Sequence, residues 1–83
     1  MNKLVLISGS SRGLGAAMAK SFSEAGYKVA INYFKSEKEA KSLSESLPNQ
    51  SHIFKCDVSS KDDVDAMLES IKEEFGHHPS ILV

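Results

Sequence analysis

Short strand-like segments recur along the chain, each followed by a stretch with helical spacing, and this alternation restricts the fold more than any other feature. Leu4-Val5-Leu6-Ile7 is a continuous apolar run, the mark of a parallel strand covered on both faces. Leu14, Ala17, Met18, Phe22 and Ala25 then fall at three-and-four spacing, which predicts the apolar face of a helix. Gly26 stands where a left-handed terminating residue is expected. Val29-Ala30-Ile31 repeats the strand pattern, and Ser36 with Glu39 matches a capping box ahead of a helix carrying Ala40, Leu43 and Leu47. Pro48-Asn49 closes that helix, and His52-Ile53-Phe54-Lys55-Cys56 reads as a third strand. Ser59 and Ser60 offer caps to a third helix, with Asp62 and Asp63 near its positive end and Val64, Leu68, Ile71 and Phe75 on its apolar side. Gly76 ends it, and Pro79 precedes the start of a fourth strand, Ile81-Leu82-Val83. Alternation of this kind builds a parallel sheet through right-handed crossovers, with helices on its faces. The expected class is α/β, ordered βαβαβα plus the start of a fourth strand, with ligands at the carboxyl ends of the strands.

Length and charge narrow the function. A chain of 83 residues makes one domain and buries only about 60–65% of its unfolded surface. Ten basic against eleven acidic side chains, net −1, argue against a nucleic-acid partner or a polybasic membrane-bound protein. Leu4–Ile7, the longest apolar stretch, is far too short for a membrane span, so no membrane partner is expected. The single cysteine, Cys56, excludes an internal disulfide and is expected as a small core residue without thiol activation. A cytoplasmic protein is expected. The apolar run at Ile81-Leu82-Val83 resembles a buried strand, so residues 1–83 are expected to be the N-terminal part of a longer domain.

The chemistry concentrates in Ser8-Gly9-Ser10-Ser11-Arg12-Gly13-Leu14-Gly15, between the first strand and the first helix. Gly9 suits a tight turn, Gly13 a close approach of backbone to a pyrophosphate, and Gly15 close packing of helix on sheet. The free N–H groups at the helix start, aided by its dipole, then hold anionic oxygens. A P-loop is excluded, because Leu14-Gly15-Ala16 stands where Gly-Lys-Ser is required. Gly9-Ser10-Ser11-Arg12-Gly13 also satisfies the Gly-x-Ser-x-Gly nucleophile elbow, with Ser11 as nucleophile and Asp57 and His77 or His78 following in triad order. Against that alternative, no earlier strand and loop supply a second oxyanion donor. At the end of the third strand, Asp57-Val58 offers a carboxylate that can accept from an adenine amino group, or simply cap a helix. Asn32-Tyr33-Phe34 ends the second strand without the acid that bonds a ribose 2′-hydroxyl in NAD sites. Tyr33 and Phe34 are candidates for an adenine pocket. His77-His78 and the acids of the third helix lack metal-ligand spacing, and no metal is expected.

These segments together resemble the N-terminal part of a short-chain dehydrogenase/reductase. The family's Thr-Gly-x-x-x-Gly-x-Gly motif is followed with Ser8 in place of Thr, its adenine-contacting Asp-Val corresponds to Asp57-Val58, and Ile81-Leu82-Val83 is similar to the strand before its Asn-Asn-Ala-Gly motif. The Ser-Arg-Gly-Leu-Gly wording is most similar to the 3-oxoacyl-acyl-carrier-protein reductase branch. The resemblance implies a Rossmann-type sheet and a cofactor site built from Gly9, Ser10, Ser11, Arg12, Gly13, Leu14, Gly15, Asn32, Tyr33, Phe34, Asp57 and Val58. It implies NADP(H) as cofactor, a small-molecule carbonyl or acyl-thioester substrate, and a homo-oligomer. Arg12, permanently charged and planar, suits the extra phosphate of NADP. The family's catalytic Tyr-x-x-x-Lys is not within residues 1–83, since Tyr27 is followed four on by Ile31 and Tyr33 by Glu37. No catalytic residue is therefore assigned. A nucleotide-binding module without catalysis is the alternative reading.

Overall fold

The computed structural model describes residues 3–8 and 13–83. Its elements run β1 (Leu4–Ser8), α1 (Gly13–Glu24), β2 (Lys28–Tyr33), α2 (Glu37–Ser46), β3 (Ser51–Lys55), α3 (Lys61–Phe75) and β4 (Ile81–Leu82). The strands form one sheet in the order β3-β2-β1-β4, and every pairing is parallel. Chain and sheet order part company once, after β3, when the chain crosses back and β4 lands beside β1. That reversal makes the gap between the carboxyl ends of β1 and β4 the topological switch point, the position where such sheets bind ligands.

The two faces of the sheet carry separate cores, as the alternation of side chains along a strand requires. Val5, Ile7, Val29 and Ile31 pack against Ala19 of α1 and Ala40 and Leu43 of α2. Leu4, Leu6, Ala30 and Phe54 pack on the opposite face against Met67, Ile71 and Phe75 of α3. β1 and β2 are flanked by strands on both sides and covered on both faces, hence their unbroken apolar runs. β3 lies at an edge, and only Phe54 of its five residues is buried.

Local signals explain the helix ends, with one correction. Ser60 caps α3 by accepting from the Asp63 N–H at 3.3 Å, and Gly76, at φ 88°, ends it with its N–H on the Lys72 carbonyl at 2.7 Å. Gly26 also takes a positive φ, 95°, as expected after α1. The expected capping box at Ser36 does not form. Ser36 has ψ 56°, outside the extended region from which a cap side chain reaches the first turn, and it makes no side-chain cap bond.

The inward face of α1 also differs from expectation. Leu14 is 77% exposed, and Ala17 and Ala25 are exposed, while Ala19 and Ser23 are buried and Ala16, Met18 and Phe22 are half-buried. Small side chains at 16, 19 and 23 let the helix lie close to the strands, where a leucine would hold it off. Met67 on α3 joins the buried face at 6% exposure, in addition to the expected Ile71 and Phe75. Among the described residues no helix is long and apolar enough to cross a membrane.

Candidate functional site

The carboxyl ends of β1, β2 and β3 bring three of the expected segments to one end of the sheet. Gly9, Ser10, Ser11 and Arg12 lie outside the described residues, so the roles expected of them rest on sequence. Gly13 opens α1 with φ +66°, a left-handed conformation that only glycine adopts without strain. Among the described residues, a Cβ built there meets nothing within 4 Å. Leu14 in the first turn is exposed and Gly15 is half-buried, leaving the helix start accessible.

Asp57 follows β3 with its carboxylate already oriented. Its Oδ1 accepts from the Ser59 hydroxyl at 2.6 Å and from the Ser59 N–H at 3.0 Å. Those two bonds lower its pKa, burial opposes them, and Lys35 adds a smaller lowering, so the group is an anion near neutral pH. The Asp57 N–H in turn donates to Asp63 Oδ2 at 3.2 Å. Sequence reasoning took Ser59 as a cap and missed this partnership, although the Asp-x-Ser spacing is the signature of an Asx turn. Val58 next to it is 59% exposed.

The three residues ending β2 separate. Asn32 is 3% exposed and its amide is consumed inside the protein, so its side chain is not presented to a ligand. Tyr33 packs with the α1/α2 core, where burial and then the Glu37 carboxylate raise its pKa. Phe34 is 47% exposed and lines a groove of about 600 Å³ between β3 and α3 with Phe54, Asp63 and Met67. Tyr33 and Phe34 therefore do not meet in one pocket, as alternation along a strand dictates. Lys35 lies with its ammonium 5.8 Å from the Phe34 ring centroid.

Cys56 is buried, and desolvation, then Asp63 and Asp57, raise its pKa, so its thiol stays protonated and inert. The nucleophile-elbow alternative fails on topology. Asp57 follows β3 at its carboxyl end, whereas His77 and His78 sit in the loop that enters β4 at its amino end, just before Ser80 bonds the Leu4 carbonyl. Strand ends of this length stand roughly 13–17 Å apart, too far for a triad.

Over residues 9–83 the chain matches a protein family described as enoyl-(acyl carrier protein) reductase. It is 34% identical over 79 residues to the 3-oxoacyl-[acyl-carrier-protein] reductase FabG of Staphylococcus aureus (strain Mu50 / ATCC 700699), covering 92% of this chain and 32% of that protein. It is 37% identical over 76 residues to an acetoacetyl-CoA reductase of Paracoccus denitrificans, covering 92% of this chain and 31% of that one. A solved short chain dehydrogenase from Bacillus anthracis superposes with a TM-score of 0.86 at 32% identity, over 96% of this chain and 34% of that structure. The chain thus spans about a third of the length of the curated relatives it matches. The likeness bears out the expected α/β architecture.

Proposed function

Because this chain belongs to the short-chain dehydrogenase/reductase family, we propose that residues 1–83 form the NADP(H)-binding portion of a longer reductase. Its reaction moves hydride between the cofactor and a carbonyl or hydroxyl substrate, with 3-oxoacyl thioesters as the substrate class. The observation that carries the reading is Gly13, the first residue of α1, held at φ +66° with nothing among the described residues within 4 Å of an added Cβ.

The residues present fit a dinucleotide. The accessible N–H groups at the start of α1 suit its pyrophosphate. The Asp57 carboxylate, fixed by Ser59, suits an adenine amino group, and the exposed Val58 beside it supplies apolar cover. NADP(H) is favoured over NAD(H) because Asn32, Tyr33 and Phe34 place no acid at the end of β2, where an acid would repel a 2′-phosphate. Arg12 and Lys35 add positive charge near that region of the sequence. When bound, the nicotinamide supplies hydride; the residues of this chain bind and orient the adenosine end.

Titration calorimetry of the chain with NADPH and NADH, with Arg12→Ala alongside, tests the proposal. A charge-assisted contact to the extra phosphate is worth about 1.5–3 kcal/mol, so NADPH should bind roughly ten- to a hundredfold more tightly. Equal affinities, or a preference unchanged in Arg12→Ala, overturn the assignment of NADP(H). Failure to bind either cofactor overturns the reading as a whole.

A further inference from the structure

We propose that Asn32 is a positioning residue of this site: its buried amide ties the carboxyl ends of β1, β2 and β3 together and sets the orientation in which Asp57 is presented. The role rests on the dinucleotide-binding reading above and deepens it. Asn32 lies level with Ser8 of β1 and with Phe54 of β3, in the last register pair of β1 with β2 and the last but one of β2 with β3. The ladder of β1 with β2 ends at this pair, and that of β2 with β3 ends one pair later, with the Cys56 N–H on the Tyr33 carbonyl at 2.8 Å. The side chain of Asn32 adds a tie to both neighbouring strands at these ends. Its Nδ2 donates to the Cys56 carbonyl at 3.2 Å and lies 3.4 Å from the carbonyls of Phe54 and Tyr33. On the other side its Oδ1 accepts from the Ser8 hydroxyl at 3.4 Å.

Of the three carbonyl oxygens around Nδ2, that of Tyr33 already accepts from the Cys56 N–H at 2.8 Å, so the two amide hydrogens are directed chiefly to those of Phe54 and Cys56. A carboxylate at this place would face those oxygens with no hydrogen to offer. The bond to Cys56 matters most, because the Cys56 carbonyl belongs to the peptide unit that leads into Asp57. That unit is gripped at both ends: its oxygen by Asn32 and its nitrogen-bound hydrogen by the Asp63 carboxylate, 3.2 Å from the Asp57 nitrogen. Fixing the plane of this peptide fixes the N–Cα bond from which Asp57 extends, and the Ser60 N–H on the Asp57 carbonyl at 3.0 Å together with the Ser59 bonds holds the rotation that remains. Asn32 is 3% exposed, so it acts on a ligand through the strand ends rather than by contact.

A double-mutant cycle separates this role from core filling. NADPH affinity is measured by calorimetry for the chain, Asn32→Leu, Asp57→Ala and the double variant, at a temperature where circular dichroism shows each folded. Asn32→Leu keeps the branching at Cγ and removes the hydrogen bonds; it should weaken NADPH about tenfold, and about twofold or less once Asp57 is already alanine. Asn32→Ser, which keeps one short donor that cannot span both neighbouring strands, carries the same cycle should Asn32→Leu not fold. Unchanged affinity in a folded Asn32 variant, or losses that simply multiply across the cycle, overturn the positioning role while leaving the cofactor reading intact. Absence of NADPH binding by the unsubstituted chain overturns both.

Discussion

Replacing Gly13 by alanine tests the start of α1 on two independent scales. At φ +66° an L-residue is strained, at a cost of about 1–2 kcal/mol. Among the described residues the added methyl meets nothing within 4 Å, and the expected cost is that of the strain. In a domain of this size each kcal/mol lowers Tm by about 4–8 °C, giving a fall of roughly 4–16 °C. Gly26 and Gly76 provide the control, at φ 95° and 88° and also with nothing within 4 Å of an added Cβ. They follow α1 and α3 at the amino ends of the strands, away from the site. All three alanine variants should therefore lose similar stability in urea denaturation. Only Gly13→Ala should also lose NADPH affinity, by tenfold or more, because its methyl occupies the space through which a pyrophosphate reaches the backbone. Calorimetry at 10 °C, with each variant confirmed folded, reads this directly. A Gly13→Ala chain that binds NADPH as the unsubstituted one does, while Gly76→Ala shows the same stability loss, refutes the placement of the pyrophosphate. A Gly13→Ala chain with undiminished stability refutes the strain argument.

Ser59→Ala removes one of the two bonds that lower the Asp57 pKa, so the carboxyl should titrate closer to the ordinary aspartate value of about 3.9 in a carbon-detected NMR titration. A depressed carboxylate stabilises the fold above its unfolded pKa, and that contribution is lost as pH falls through the folded value. The destabilisation by Ser59→Ala should accordingly be largest near pH 7 and shrink once Asp57 is protonated; a difference independent of pH would contradict it. Ile71→Ala empties a fully buried place among Leu6, Phe54, Met67 and Phe75, and should cost about 2–5 kcal/mol in urea denaturation. Against a whole stability of roughly 4–12 kcal/mol for a chain this long, that loss leaves a substantial unfolded fraction. A cost below 1 kcal/mol would mean that α3 is not held on the sheet as described.

The sequence by itself determined the class of fold and the places where elements stop. Leu4-Val5-Leu6-Ile7 is apolar at successive positions, which only a strand covered on both faces tolerates. His52 to Lys55 sets two apolar residues between polar ones, and β3 lies at the edge with only Phe54 buried. Gly26, Gly76 and Ser60 act through local backbone and hydrogen-bond chemistry, so their roles were legible without the rest of the chain. What lay beyond local chemistry was decided by the sheet. The spacing of α1 predicts Leu14, Met18 and Phe22 on one inward stripe; Met18 and Phe22 do pack at the margin of the core, but Leu14 is exposed and the fully buried places go to Ala19 and Ser23, whose side chains are small enough for close approach. Asn32 reads in sequence as a polar residue at a strand end, free to meet a ligand. Its burial follows from a strand order that sets β1 on one side of β2 and β3 on the other, surrounding its amide with partners 24, 22 and 24 residues away. No local pattern encodes that neighbourhood, because hydrogen bonds between strand ends depend on which strands become neighbours, and that choice is made only when the whole sheet assembles.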